Sequence, residues 1–301
     1  MAKIAVVTDS NSGLSQEQAK KLGIYVIPMP FNIDDRTYYD GIDLDEKTFY
    51  ERQVADADIT TSQPAPGYVT DLWDKLLKDY DQILHMPMSS GLSSTCATAK
   101  MLAEDYDGRV FVVDNQRISI TLLISVLEAL ELISYGMTAD EIKNILEREG
   151  KESGIYLMVD TLKYLKKGGR ITPAAAALGT LLRLKPVLQI QGDKLDALAK
   201  ARTVKQAKNI IIEAMQKDME KRLEDSIHGE KAVIQLAHTQ NIEMAIELRS
   251  DLEKLFPDQK MPVVALSLSV ATHVGPGVFA AGWTRKVPEI MERNPGFYLD
   301  K

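Results

Sequence analysis

The residues of this chain that could do chemistry are small hydroxyls, gathered just after short apolar runs. Thr8-Asp9-Ser10 follows Ile4 to Val7, and Ser89, Ser90, Ser93, Ser94 and Thr95 follow Gln82 to Met86; Thr61-Ser62-Gln63-Pro64 forms a third group. One chemistry that suits them is anion binding, in which side-chain O–H and backbone N–H donors converge on a carboxylate or phosphate as they do at helix N-termini. Helix capping competes with this, because Ser and Thr are preferred N-caps, yet several hydroxyls in one turn exceed what one cap needs. Acyl transfer is the other alternative. Gly91-Leu92-Ser93-Ser94-Thr95 nearly spells the nucleophile elbow G-x-S-x-G, which would make Ser93 the nucleophile of a serine hydrolase acting on acyl esters, with His273 as base. Thr95 occupies the place of the second glycine, however, and no HGGG-type oxyanion segment accompanies it.

Two glycine-punctuated segments stand apart, Lys166-Lys167-Gly168-Gly169-Arg170 and His273-Val274-Gly275-Pro276-Gly277. Each reads alone as a turn, the first with solvated charges and the second with a satisfied histidine. His238 follows a strand pattern, and His85 lies inside one, where a core or edge position is expected. One cysteine and four scattered histidines give no zinc spacing, and neither the P-loop nor the dinucleotide fingerprint occurs, so neither metal nor cofactor is expected.

These residues have to be positioned by regular elements. In the first half, short apolar runs alternate with capped helices: Ser15 with Gln18 forms a capping box for a helix that Gly23 ends, and Thr138 with Glu141 forms another. Tyr25 to Met29, Gln82 to Met86 and Val110 to Val113 read as strands, and Phe31 to Tyr39 as a hairpin turning at Asp34-Asp35. Strands alternating with helices predict a doubly wound parallel sheet, in which ligands bind outside the carboxyl ends of the strands. By that logic the turns after Val7 and Met86 share one rim.

From Gly154 the pattern changes. Pro186 to Ile190 and Leu195 to Ala199 flank a hairpin signal at Gln191 to Lys194. Amphipathic helices over Val204 to Leu223 and Ile242 to Leu255 are separated by a strand at Lys231 to Ala237, and Val263 to Leu268 and Gly277 to Trp283 supply further strands. This predicts an α+β second domain, giving an α/β domain over 1–155, an α+β domain over 156–285 and a peripheral tail over 286–301, with a ligand cleft between the domains. The membership of residues 61–80 stays open. Thr172 caps a stretch from Pro173 through Ala177, Leu178, Leu181 and Leu182 that is apolar on nearly every side and is expected to be buried, either by close packing on alanines or as a wall for a hydrocarbon chain.

At 301 residues with a formal charge of −7 and no basic stripe, the chain is ample for two cores and a poor match for nucleic acid. The lone Cys96 excludes an intrachain disulfide and suits a reducing compartment. The start lacks the long apolar region of a signal peptide, and the apolar stretch Ile118 to Ile133 is interrupted by Ser119, Thr121, Ser125, Glu128 and Glu131, so no integral membrane segment is expected. A cytoplasmic protein is the simplest reading.

Taken in order, Thr8-Asp9-Ser10, Thr61-Ser62-Gln63-Pro64-Ala65-Pro66, Ser89-Ser90-Gly91-Leu92-Ser93, Val113-Asp114, Tyr164 to Ile171, Lys185-Pro186 and His273 to Gly277 make this chain resemble the DegV family of lipid-binding (FakB-like) proteins over nearly its whole length. The resemblance implies that a long-chain fatty acid is bound in a buried apolar tunnel with its carboxylate held by Thr61, Ser93 and His273. Ser62, Ser94 and Thr95 would stand beside them, Arg202 nearby, and Ala175 and Leu178 along the acyl chain. It also implies a non-catalytic subunit that presents the acid to a separate fatty acid kinase for phosphorylation to acyl phosphate, meeting it through Arg170. The chain departs from the family where Ser93-Ser94-Thr95-Cys96 replaces Ser-Gly-Thr-Tyr, and where Ile118-Ser119-Ile120-Thr121 replaces glycines.

Overall fold

The computed structural model describes residues 2–178, 184–192, 194–224 and 228–300. Its contacts divide the chain into two units, Met1–Lys151 with Ser267–Ser269, and Glu152–Leu266 with Val270–Lys301. Residues 61–80 therefore belong to the first.

The first unit runs β1 (Ile4–Asp9), α1 (Gln16–Leu22), β2 (Ile24–Ile27), β3 (Pro30–Ile33), β4 (Arg36–Tyr39), α2 (Glu46–Val54), β5 (Ile59–Thr61), α3 (Pro66–Leu76), β6 (Gln82–Met86), α4 (Thr95–Ala103), β7 (Val110–Val112), α5 (Ser119–Ser134) and α6 (Ala139–Arg148). Helix α1 forms where expected, with the Ser15–Gln18 capping box at its start and Gly23 in the left-handed region at its end. Its short crossover carries β2 back alongside β1, and all four strands in the order β2-β1-β6-β7 are parallel. Val69, Trp73 and Leu76 of α3 and Cys96 and Ala99 of α4 pack on Ala5, Val7, Ile83, Val110 and Val112 of the sheet, while α5 and α6 lie against β1, β6 and β7. A small antiparallel sheet in the order β4-β3-β5 completes the unit, its hairpin turning at Asp34 with φ 54°.

Helix α5 has an acidic residue on its buried side. Glu128 is fully buried and faces the equally buried Arg117 at 3.4 Å, which also donates to Ser125 Oγ at 2.6 Å and to the Glu149 carbonyl at 2.6 Å. A charge in the core is tolerable only when paired and hydrogen-bonded in this way.

The second unit contains β8 (Ser153–Met158), α7 (Lys163–Gly168), α8 (Pro173–Ala177), β9 (Lys185–Ile190), β10 (Asp196–Ala201), α9 (Val204–Lys221), β11 (Ala232–His238), α10 (Ile242–Glu253), β12 (Val263–Ala265), α11 (Leu268–Val274, its first two residues counted with the first unit), β13 (Phe279–Arg285) and α12 (Pro288–Arg293). The strands form one mixed sheet in the order β10-β9-β8-β13-β11-β12, antiparallel except for the parallel β11–β12 pair. Ala207, Ile211, Met215 and Met219 of α9 and Ala245, Leu248 and Leu252 of α10 close the core over Tyr156, Ile234, Leu236 and Trp283.

Three expectations need correction. Helix α8 is not enclosed: Pro173, Ala174 and Ala177 are exposed and only Ala175 is fully buried. An alanine offers one methyl, worth about 0.8 kcal/mol when buried, so an all-apolar alanine face has little drive to sink. The continuation through Leu181 and Leu182, like Asp193 of the hairpin turn, lies outside the described residues. The strand expected over Val263 to Leu268 stops at Ala265, because Leu268 opens a helix. The segment expected as a peripheral arm forms α12, buries Ile290, and is anchored where Tyr298 Oη accepts from the Val287 N–H at 2.9 Å.

Candidate functional site

Within the first unit, parallel pairing of β1 and β6 sets Thr8 beside Met86, so the two hydroxyl-bearing turns leave the sheet at the same edge. Thr8 Oγ1 donates to the Met86 carbonyl at 2.8 Å. The Asp9 carboxylate accepts from the N–H groups of Met88 at 2.7 Å and Asn11 at 3.0 Å, stitching the turns together. Burial pushes the Asp9 carboxyl up to about 7, against the pull of those two N–H donors. Asp40, which no sequence pattern singled out, stands beside it. Its carboxylate accepts from Ser10 Oγ at 2.8 Å and from the Leu268 N–H at 3.1 Å, and burial raises it as well. Thr8, Asp9 and Ser10 thus form the buried frame of the rim, with their polar atoms committed to neighbours.

The second turn is more open. Ser93 and Ser94 are half-buried and exposed, and Thr95 is buried. Ser94 is the N-cap of α4, yet its side chain makes no capping bond. Its Oγ donates instead to Gln63 Oε1 at 3.0 Å, which also accepts from Thr98 Oγ1 at 3.0 Å. Gln63 is therefore the clasp that holds the Thr61-Ser62-Gln63 segment against the serine turn. Thr61 itself is placed by β5, where it pairs with Phe31 at the edge of the small sheet. Ser62 is exposed, its N–H donating to the Pro30 carbonyl.

Ser93 Oγ lies 2.8 Å from Thr95 Oγ1 and accepts from the Thr95 N–H at 3.2 Å. When the Thr95 hydroxyl also donates to it, both lone pairs of Ser93 Oγ are occupied and its own proton points outward, as a donor for an anion. A nucleophile elbow would need a sharp, strained strand-to-helix turn. Here residues 87–94 separate β6 from α4, and Ser93 is not among the residues with positive φ.

In the second unit His273 lies in the last turn of α11 and is half-buried. Burial and then the Arg170 charge depress its imidazole to about 4, so it is neutral at physiological pH. Arg170 itself is half-buried beside it, donating to the Gly168 carbonyl. Ala175 is buried behind Thr172, whose Oγ1 caps α8 by accepting from the Ala175 N–H at 3.2 Å. Leu178 is half-buried, and Arg202 is exposed at the head of α9. His238 ends β11 buried, its Nδ1 accepting from the Asn241 N–H. His85 is fully buried in β6, edge-on to Trp73, as its place in a strand implied.

Among the described residues, no cluster of three His, Cys, Asp or Glu could hold a metal ion, and no helix is long and apolar enough to cross a membrane. Asp40 and Gln63 were missed as site-building residues. Gln63 alone had a signal, its place in the Thr-Ser-Gln-Pro motif.

Comparison with known proteins finds a match over residues 3–286 to the family model described as "Uncharacterised protein, DegV family". A DegV domain-containing protein of Deinococcus radiodurans is 33% identical over 275 residues, covering 91% of this chain and 95% of that one. Among solved structures, a DegV family protein from Thermus thermophilus, described by its fatty acid binding, superimposes with a TM-score of 0.86 at 31% identity, covering 94% of this chain and 100% of that one. DegV of Bacillus subtilis, described as a fatty acid binding protein, gives 0.82 at 30% identity, with 95% and 100% covered.

Proposed function

This chain belongs to the DegV family, and on that premise we propose that it binds a long-chain fatty acid, with the carboxylate held by Thr61, Ser93 and His273. The observation that carries the reading is likeness at 30% identity or more, over nearly the full chain, to two proteins that bind fatty acids. The local chemistry agrees with it. Ser93 Oγ can donate outward when the Thr95 hydroxyl donates to it, Gln63 holds Thr61 and Ser62 against the serine turn, and a neutral His273 would supply an N–H donor.

The two ends of the ligand make opposite demands. Burying around fourteen methylenes at about 0.8 kcal/mol each offers on the order of 11 kcal/mol before ordering costs, so the tail dominates affinity. A carboxylate taken from water without donors would cancel several kcal/mol of this, and charge-assisted hydrogen bonds from two hydroxyls and an imidazole prevent that loss. Ser62, Ser94 and Thr95 shape the head-group pocket, Ala175 and Leu178 line the acyl chain, and Arg202 lies nearby. We further propose that the chain is a non-catalytic, cytoplasmic subunit whose bound acid is phosphorylated by a separate kinase that docks on Arg170. The family resemblance supports this role.

The test is palmitate binding by the purified chain, Thr61→Ala and Ser93→Ala. Loss of one hydrogen bond to a charged group is worth about 1.5–3 kcal/mol, so each variant should bind at least tenfold more weakly with its fold intact. Wild-type affinity in both variants would remove the head group from these hydroxyls. Phosphorylation of bound palmitate by the purified chain alone, with ATP, would refute the non-catalytic assignment.

A further inference from the structure

His273 shares its surroundings with Gly168, the last residue of α7, and the contact is unusually close. A Cβ built on Gly168 would fall 2.1 Å from His273 Nδ1 and 2.8 Å from Cε1. The imidazole thus occupies the space that a Gly168 side chain would take, and any side chain there would displace the ring. One turn further along, the same two segments meet again: a Cβ on Gly275 would fall 2.3 Å from the Tyr164 ring. The end of α11 is thereby seated against α7 through two glycines, one contributed by each segment.

The two glycines of the Gly168-Gly169 pair have different reasons to be glycine. Gly169 has φ +68°, in the left-handed region that favours glycine, but a Cβ there would meet nothing within 4 Å. Gly168 lies outside that region, so its backbone would accept alanine without strain, and the three atoms nearest its missing Cβ all belong to the imidazole. The obstacle is a side chain with rotatable χ angles and not a backbone, which means that an alanine methyl would be accommodated by swinging the ring away. Arg170 closes the arrangement by donating to the Gly168 carbonyl, so its charge is held beside the ring that Gly168 seats.

We propose that Gly168 is a positioning residue for ligand binding, fixing the direction in which His273 presents its imidazole to the head group. This inference rests on the reading of His273 as a head-group donor. It gives the Gly168-Gly169-Arg170 segment a role inside the second unit, in addition to any partner it meets.

The experiment compares wild type, Gly168→Ala, Gly169→Ala, His273→Ala and the Gly168→Ala/His273→Ala double variant. Palmitate affinity and thermal midpoint are read for each, and the imidazole ¹H–¹⁵N signals of His273 in the three proteins that retain it. Gly168→Ala is expected to weaken palmitate binding by about the same factor as His273→Ala, tenfold or more, and to shift the His273 signals. The double variant should bind no more weakly than His273→Ala, and the thermal destabilisation caused by Gly168→Ala should vanish once the ring is removed. Gly169→Ala should lower the thermal midpoint without moving the His273 signals. Weakened binding in His273→Ala with unchanged binding in Gly168→Ala would overturn the positioning role. So would additive effects in the double variant. If His273→Ala binds palmitate as wild type does while Gly168→Ala still shifts the ring signals, the head-group reading of His273 has failed and the positioning role falls with it.

Discussion

Asp9 gives the sharpest prediction, because its carboxyl is buried by the fold and yet must be ionised at high pH. In the folded chain it titrates near 7, against 3.8 for an ordinary aspartate, with burial as the main cause and the neighbouring Asp40 adding to it. A group whose pKa is higher in the folded than in the unfolded chain takes up a proton on folding. Its contribution to stability is full below about pH 4 and is lost as pH rises through 7. Each pH unit of that displacement is worth about 1.4 kcal/mol, so about 4 kcal/mol of stability should disappear across this window. Asp9→Asn replaces the carboxyl with a neutral amide of the same size. Its misplaced donor beside the Met88 and Asn11 N–H groups imposes a penalty, but that penalty does not change with pH. The assay is urea unfolding from pH 4.5 to 7.5, followed by Trp73 fluorescence in a Trp283→Phe background so that the first unit is read by itself. Wild type should lose stability relative to Asp9→Asn by several kcal/mol as pH rises. A difference that stays flat within about 1 kcal/mol, or one that grows in favour of wild type, would refute the buried-acid reasoning.

Three further outcomes are expected. Arg117→Ala should destabilise the first unit by about 3–5 kcal/mol in urea unfolding, because it strands the buried Glu128 charge; Arg117→Ala combined with Glu128→Ala should recover part of that loss. Gly154→Ala should cost about 1–3 kcal/mol, since its Cβ would press to 2.9 Å of Trp283 Nε1, which donates to Asp218 at 2.8 Å, and a Trp283 emission shift should accompany the loss. Gln63→Ala should release Ser94 and Thr98 from their shared acceptor and speed limited proteolysis near residues 61–65, with little change in global stability.

Much of the frame was legible because it is written locally. Ser15 with Gln18 and Thr138 with Glu141 form capping boxes within one helical turn, and both appear where the sequence places them. The run Gln82 to Met86 is a strand with those same bounds, and the parallel pairing that makes the Thr8 and Met86 turns neighbours follows from strands joined by helical crossovers. Short or weakly patterned elements were not legible. Strand β5 is three residues long, and α8 presents alanines whose pattern carries no information about which side faces water.

By itself, then, the sequence determined the well-patterned strands and helices of the frame and which turns gather hydroxyls, since caps, periodicity and turn chemistry act over a few neighbouring residues. Only the tertiary structure decided how those groups are committed. The Asp9 carboxylate accepts the Met88 N–H, the Asp40 carboxylate accepts the Ser10 hydroxyl and the Leu268 N–H, the Ser94 hydroxyl turns to Gln63 instead of capping its own helix, and the His273 ring fills the space beside Gly168. These are contacts between residues far apart in the chain. Hydrogen bonding and steric exclusion act over a few ångströms of space and leave no spacing rule in the sequence by which such pairs could be read.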